Sequence, residues 1–148
     1  MTLKTQIGSG LFSSAFLLIL VRATAAEPLA LQCPGKYPDL IEMQSLQAQG
    51  WRALFPGAPK APLEEVGVSL GPAAENGELQ GEELPGGKGR EFRFPGSALE
   101  LEKWVFCGYD APTGYARVMY QIPIDGQRCE TRLKRSRGRL VAASIRCE

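Results

Sequence analysis

The sequence predicts a mainly β, single-domain fold: an antiparallel sheet or small sandwich, stapled by disulfides and ending in a four-strand meander. Three observations predict it. Beyond Gly89, apolar residues recur at every second position, the signature of half-buried strands. Glycine and proline, 17 and 11 in a chain of 148 residues, break these runs at intervals suited to turns. Four cysteines, Cys33, Cys107, Cys129 and Cys147, form an even set, which in an exported chain reads as two disulfides.

Export is expected from the first 26 residues. Lys4 precedes an apolar run from Leu11 to Val21, and Ala23-Thr24-Ala25-Ala26 follows, the positive, apolar, small-residue order of a secretory signal. The run is shorter than the roughly 17–25 residues that span a bilayer as a helix. Cleavage after Ala25 or Ala26 leaves residues 27–148 as one mature domain with no integral membrane segment. Ala30-Leu31-Gln32 places a large polar residue where a lipoprotein signal needs a small one, so Cys33 is not expected to carry lipid.

Along the mature chain, Asp39-Leu40-Ile41-Glu42-Met43-Gln44 fits either a short strand or a helical turn. Gly50-Trp51 and Phe55-Pro56-Gly57 predict an ordered loop with two aromatic anchors, and Pro56, Pro59 and Pro62 exclude a regular helix beyond it. Val66, Val68 and Leu70 predict a strand ended by Gly71-Pro72. Asn76-Gly77 and Gly86-Gly87 predict turns bounding a weak, exposed strand. Phe92 and Phe94, then Leu99 and Leu101, alternate with charged residues. Trp104-Val105-Phe106-Cys107-Gly108-Tyr109 is apolar on both sides, as in the middle of a sheet. Ala116-Val118-Tyr120-Ile122, Cys129-Thr131-Leu133 and Val141-Ala143-Ile145-Cys147 each present one inward face, with Arg117, Met119, Gln121, Arg128, Glu130 and Arg132 facing outward. These last four runs are the expected meander. Four cysteines allow three pairings. Neighbouring C-terminal strands of matching phase favour Cys129 with Cys147, leaving Cys33 to tie the N-terminal arm to Cys107. Trp104 is expected in the core beside that bond.

The chemistry available is narrow. The chain has no histidine, which removes the commonest general base and the Ser-His and Cys-His nucleophile pairs. Without histidine or a C-x-x-C spacing, a zinc site is not expected, nor is any cofactor. Glu64-Glu65, Glu82-Glu83 and Glu100/Glu102 read as solvated loop carboxylates, so no enzymatic activity is expected. Removal of Lys4 and Arg22 leaves 15 basic and 16 acidic residues. Residues 64–102 carry a net charge of −6, and residues 103–148 a net charge of +5. Such faces serve as ordinary solvated surfaces or as fields that steer a charged partner. The densest feature is the basic turn Arg132, Lys134, Arg135, Arg137 and Arg139. In an exported protein it points to an acidic protein surface or lipid headgroups, and nucleic acid is not an expected partner.

Cys33-Pro34, Gly50-Trp51, Gly71-Pro72, Trp104-x-Phe106-Cys107-x-Tyr109, Ile122-Pro123 before Cys129, and Ile145-x-Cys147 together resemble a family of small, uncharacterised four-cysteine periplasmic proteins of proteobacteria. The likeness spans nearly the whole mature chain. It implies a periplasmic location, disulfides and a single domain, with an extracellular location as the other export destination. The functional expectation is a soluble periplasmic protein-binding domain, an inhibitor of a cell-wall hydrolase or an immunity protein against a secreted toxin. The expected contacts are Arg135, Arg137 and Arg139 on the basic turn and Glu78, Glu82 and Glu83 on the acidic loop. The alternative is an envelope-maintenance or lipid-contact protein.

Overall fold

The computed structural model describes residues 27–55, 60–72, 77–96, 100–111, 114–122 and 126–148. The expected signal segment, and Leu99 of the expected strand around Leu101, lie outside them. The chain is mainly β: β1 (Leu29–Cys33), α1 (Leu40–Ala48), β2 (Trp51–Phe55), β3 (Leu63–Leu70), β4 (Glu82–Glu83), a 3-10 turn (Pro85–Gly87), β5 (Gly89–Arg93), β6 (Lys103–Ala111), β7 (Gly114–Ile122), β8 (Arg128–Ser136) and β9 (Arg139–Cys147). Two antiparallel sheets form, one ordered β1-β9-β8-β5-β4 and the other β2-β7-β6-β3. Their inner faces share one core, in which Val68, Val105, Val118 and Cys107 meet Phe92, Ile145 and Cys129, all of them buried.

Both disulfides pair as expected. Cys129–Cys147 joins β8 to β9 within one sheet, and Cys33–Cys107 joins β1 of that sheet to β6 of the other. The four C-terminal strands depart from a continuous meander. They form two hairpins, β6–β7 and β8–β9, that belong to different sheets, so β7 and β8 follow each other without pairing. Alternation marks strands and hairpins; it does not say that β7 pairs with β2 and β8 with β5.

Local chemistry explains the other departures. The 39–44 segment is helical because Asp39 caps it: its carboxylate accepts from the N–H groups of Ile41 (3.0 Å) and Glu42 (2.9 Å), while Glu42 reaches back to the N–H of Asp39 (3.1 Å). Trp51 opens a strand rather than a loop, paired with Tyr120 on β7 and packed edge-on to its ring at 5.5 Å. Leu101 is half-exposed and lies before β6 rather than in a strand. On β9, Lys134 pairs with Ala142 but Arg135 with Leu140, so Val141 is an unpaired bulge residue. The bulge reverses the phase: Leu140 is buried and Val141 is exposed, opposite to the expected pattern.

The four-stranded sheet is apolar on both faces. Trp104 points away from Cys107 and clusters with Phe106 and Met119 on the outer face, so it does not pack beside the disulfide. Arg117 shares that outer face, yet it and Met119 are buried rather than solvated. Two polar side chains tie loops to the sandwich. The Tyr109 hydroxyl donates to the carbonyl of Pro34 at 3.0 Å, and the Lys103 ammonium donates to the carbonyl of Gly126 at 2.7 Å.

Candidate functional site

The β8–β9 hairpin is the most distinct projection. Its turn is Ser136-Arg137-Gly138-Arg139, with Ser136 opposite Arg139 and positive φ at both central residues, 49° at Arg137 and 78° at Gly138. That backbone matches the right-handed twist of the strands, and glycine supplies the second position without steric cost. Its base is clamped: Cys129 lies opposite Cys147, and on the next rung Arg128 and Glu148 exchange both backbone hydrogen bonds. From Cys129 to Ser136 the arm runs roughly 23 Å at about 3.3 Å per residue, of which roughly 10 Å, beyond Arg132 and Ala143, stands clear of the flanking strands β5 and β1.

Every cation of the expected basic turn lies on this arm and is exposed. Arg132 pairs with Glu130 at 2.6 Å. Arg135 reaches the carbonyl of Gly138 at 3.5 Å, across its own turn. Among the described residues, Lys134, Arg137 and Arg139 take part in no ion pair. The tip therefore carries cations held by backbone geometry and left to solvent.

The three expected acidic contacts divide. Glu78 pairs with Arg117, whose guanidinium lies 4.1 Å from the Phe106 ring on the outer face of the four-stranded sheet. It offsets a buried cation there. Glu82 and Glu83 form β4, the edge of the five-stranded sheet. Glu83 and Arg135 line one cavity of about 210 Å³, together with Glu64, Glu65 and Arg90, so part of the acidic segment lies against the basic arm.

Sequence reading missed a charge lattice on the outer face of the five-stranded sheet. Glu82, Glu91, Glu130 and Arg146 stand in consecutive cross-strand register on β4, β5, β8 and β9. Like charges opposite each other are unfavourable, and flanking arginines offset them. Glu91 pairs with Arg93 and, at 3.4 Å, with Arg128, which also pairs with Glu148. The Glu91 hydrogen bond and charge hold the Arg93 guanidinium above its ordinary value, and Glu82 adds to the effect. Alternation in Arg90-Glu91-Phe92-Arg93 signals a shared face for Glu91 and Arg93; the row across strands depends on register. Among the described residues, no group of three cysteine, aspartate or glutamate side chains is placed to hold a metal ion.

No protein-family model, curated protein or solved structure matches the chain. Among the described residues no helix is long and apolar enough to cross a membrane. Two disulfides and no free cysteine accord with an oxidising, extracytoplasmic compartment.

Proposed function

We propose that this chain is a periplasmic protein-binding domain whose β8–β9 hairpin tip enters an acidic cleft on a partner in the cell envelope. The observation that carries the reading is the tip itself: Arg135, Arg137 and Arg139 stand at a two-residue turn on a hairpin whose far end is closed by Cys129–Cys147, and the last two take part in no ion pair among the described residues. A rigid arm loses little conformational freedom on docking, which leaves more of the contact energy for affinity. Unneutralised arginines steer encounter with an acidic surface and make bidentate bonds to its carboxylates. Such chemistry suits an inhibitor of a cell-wall hydrolase or an immunity protein against a secreted toxin. Of the acidic contacts expected with it, Glu83 lines a cavity with Arg135 and Glu82 is exposed at the sheet edge, whereas Glu78 pairs with Arg117.

The test is affinity capture of the tagged, exported protein from periplasmic extract and from the secretions of competing bacteria, read by mass spectrometry. The expected result is one stoichiometric protein that is lost when Arg135, Arg137 and Arg139 are together changed to glutamate. Capture of that protein by the triple variant, or recovery of no specific protein by the parent, overturns the reading.

A further inference from the structure

Four strands stand at the edges of the two sheets, and three are protected against further pairing. β4 is two residues long and carries Glu82 and Glu83. β2 is broken by an irregularity between Ala53 and Phe55 and packs against α1. The far side of β3 is taken by residues 77–79: the N–H of Leu70 donates to Gly77 and that of Leu79 to Val68, both at 2.8 Å. Short length, charge, bulges and covering segments are the devices that keep sheet edges from pairing. β1 differs. Leu29-Ala30-Leu31-Gln32-Cys33 is uncharged and runs in unbroken register with β9, and among the described residues no backbone hydrogen bond reaches its other side.

The hydrogen-bond phase says which groups of β1 are free. Antiparallel ladders alternate between residue pairs that exchange both backbone bonds and pairs that exchange none. Arg128 and Glu148 exchange both, so Cys147, Ile145 and Ala143 turn their backbone groups away from β8 and toward Leu29, Leu31 and Cys33. The N–H and C=O of Ala30 and Gln32 are left on the open side. Both residues are exposed, while Leu31 and Cys33 are buried. Pro28 and Pro34 stand on the same phase at the two ends, each three residues from Leu31. Neither has an N–H, and the Pro34 carbonyl already accepts from the Tyr109 hydroxyl.

We propose that β1 pairs antiparallel with β1 of a second copy of this chain, about a two-fold axis through Leu31. In that register Ala30 of each copy faces Gln32 of the other, and both pairs exchange N–H and C=O. The prolines then face each other, and no donor is lost. A two-fold centred on Ala30 would set Gln32 against Pro28, and one centred on Gln32 would set Ala30 against Pro34; either leaves a ladder bond unmade. Charge agrees with the same register. The residues at the join, Ala30 and Gln32, are neutral, and Glu27 of one copy comes to the bend at Gly35-Lys36 of the other. Among the described residues neither Glu27 nor Lys36 takes part in an ion pair. The two five-stranded sheets join into one, and the two-fold points the hairpin tips in opposite directions. The inference goes beyond protein binding by the hairpin and uses none of its arginines.

A ladder of this length is small beside the roughly 800 Å² per partner of stable complexes, so the dimer depends on concentration. The test is sedimentation equilibrium of the exported, disulfide-bonded protein from about 10 μM to about 1 mM, over which the mean mass should rise from one chain toward two. A30K/Q32K, at two exposed positions, sets like charges opposite each other twice and should weaken association by about tenfold, with the near-ultraviolet circular dichroism unchanged. A30K/Q32E sets opposite charges against each other in the register through Leu31, and like charges in the other two, so it should restore association. A chain that stays monomeric throughout overturns the proposal, and so does a dimer that A30K/Q32K leaves intact. Loss in A30K/Q32K without recovery in A30K/Q32E overturns the register. A monomer that loses a captured protein in A30K/Q32K would assign the edge to a strand of that protein instead. R135E/R137E/R139E should dimerise as the parent does, which keeps failure of this proposal distinct from failure of the hairpin reading.

Discussion

Gly67 on β3 lies directly beneath the ring of Phe106 on β6: a β-carbon at Gly67 would stand 2.5 Å from the ring's Cζ. The absent side chain is what lets Phe106 lie flat across the outer face beside Trp104 and Met119. Gly67→Ala should therefore overpack this cluster and destabilise the fold by about 1–3 kcal/mol, read as a lower midpoint in urea with an unchanged slope.

The two disulfides should differ in weight. Cys33–Cys107 closes 74 residues and Cys129–Cys147 closes 18. On chain entropy alone the first contributes about 4 kcal/mol and the second about 3 kcal/mol. Denaturant unfolding of C33A/C107A and C129A/C147A should rank the first pair as the costlier to lose, and equal midpoints would contradict the ranking.

Tyr109 links the core to alkaline pH. Burial, and to a lesser degree Tyr37, raises its pKa above the ordinary 10.0, so the folded state favours the neutral phenol. Above pH 10 the unfolded chain loses this proton while the folded chain keeps it, and stability must fall. Its contribution is complete below pH 10 and is lost as pH rises toward the folded value. Tyr109→Phe should flatten that alkaline decline, while losing about 1 kcal/mol at neutral pH with the bond to Pro34.

Removing Glu78 strips a carboxylate from the buried Arg117. Because Glu78 is itself partly exposed, the loss in Glu78→Ala should be about 1–2 kcal/mol, below the cost of breaking a fully buried pair. Partner capture by the hairpin should be unchanged at saturating protein, which separates a structural role for Glu78 from a contact role.

Arg137 occupies a position where asparagine fits better. At φ 49° a long side chain strains the turn, whereas Asn-Gly is the favoured pair for this geometry. Arg137→Asn should raise stability by about 0.5–1 kcal/mol and weaken partner capture. A variant that loses stability instead would show that the arginine serves the turn.

Much of the fold was legible because its signals are local. The inward phase of Cys129 and Cys147 on strands joined by a short turn identified their bond, and pairing the remaining two cysteines followed. What escaped was non-local or two-sided. The sheet partners of β2, β5 and β1 lie far away in sequence, and no periodicity names them. Trp51 reads as a loop anchor because Pro56-Gly57, a turn signal in the sequence, follows it within six residues. Asp39 and Glu42 held the capping-box spacing in plain view, and weighing it would have favoured the helix. At the candidate site, the cluster of arginines on one hairpin was readable, while the separation of Glu78 from Glu82 and Glu83 and the bulge at Val141 depend on packing.

The pairing of β1 with β9 carries a further consequence for assembly. Leu29 lies opposite Cys147, so the first strand described here completes its sheet against the last. A chain made N-terminus first delivers β1 long before its neighbour arrives. Cys33 likewise must wait for Cys107. Closure of the five-stranded sheet is thus deferred until β9 is available, and contacts of such wide sequence separation make folding slow. Among the described strands β9 is the one sheet neighbour of β1, so the N-terminal edge of the molecule takes its place only when the C-terminal hairpin does.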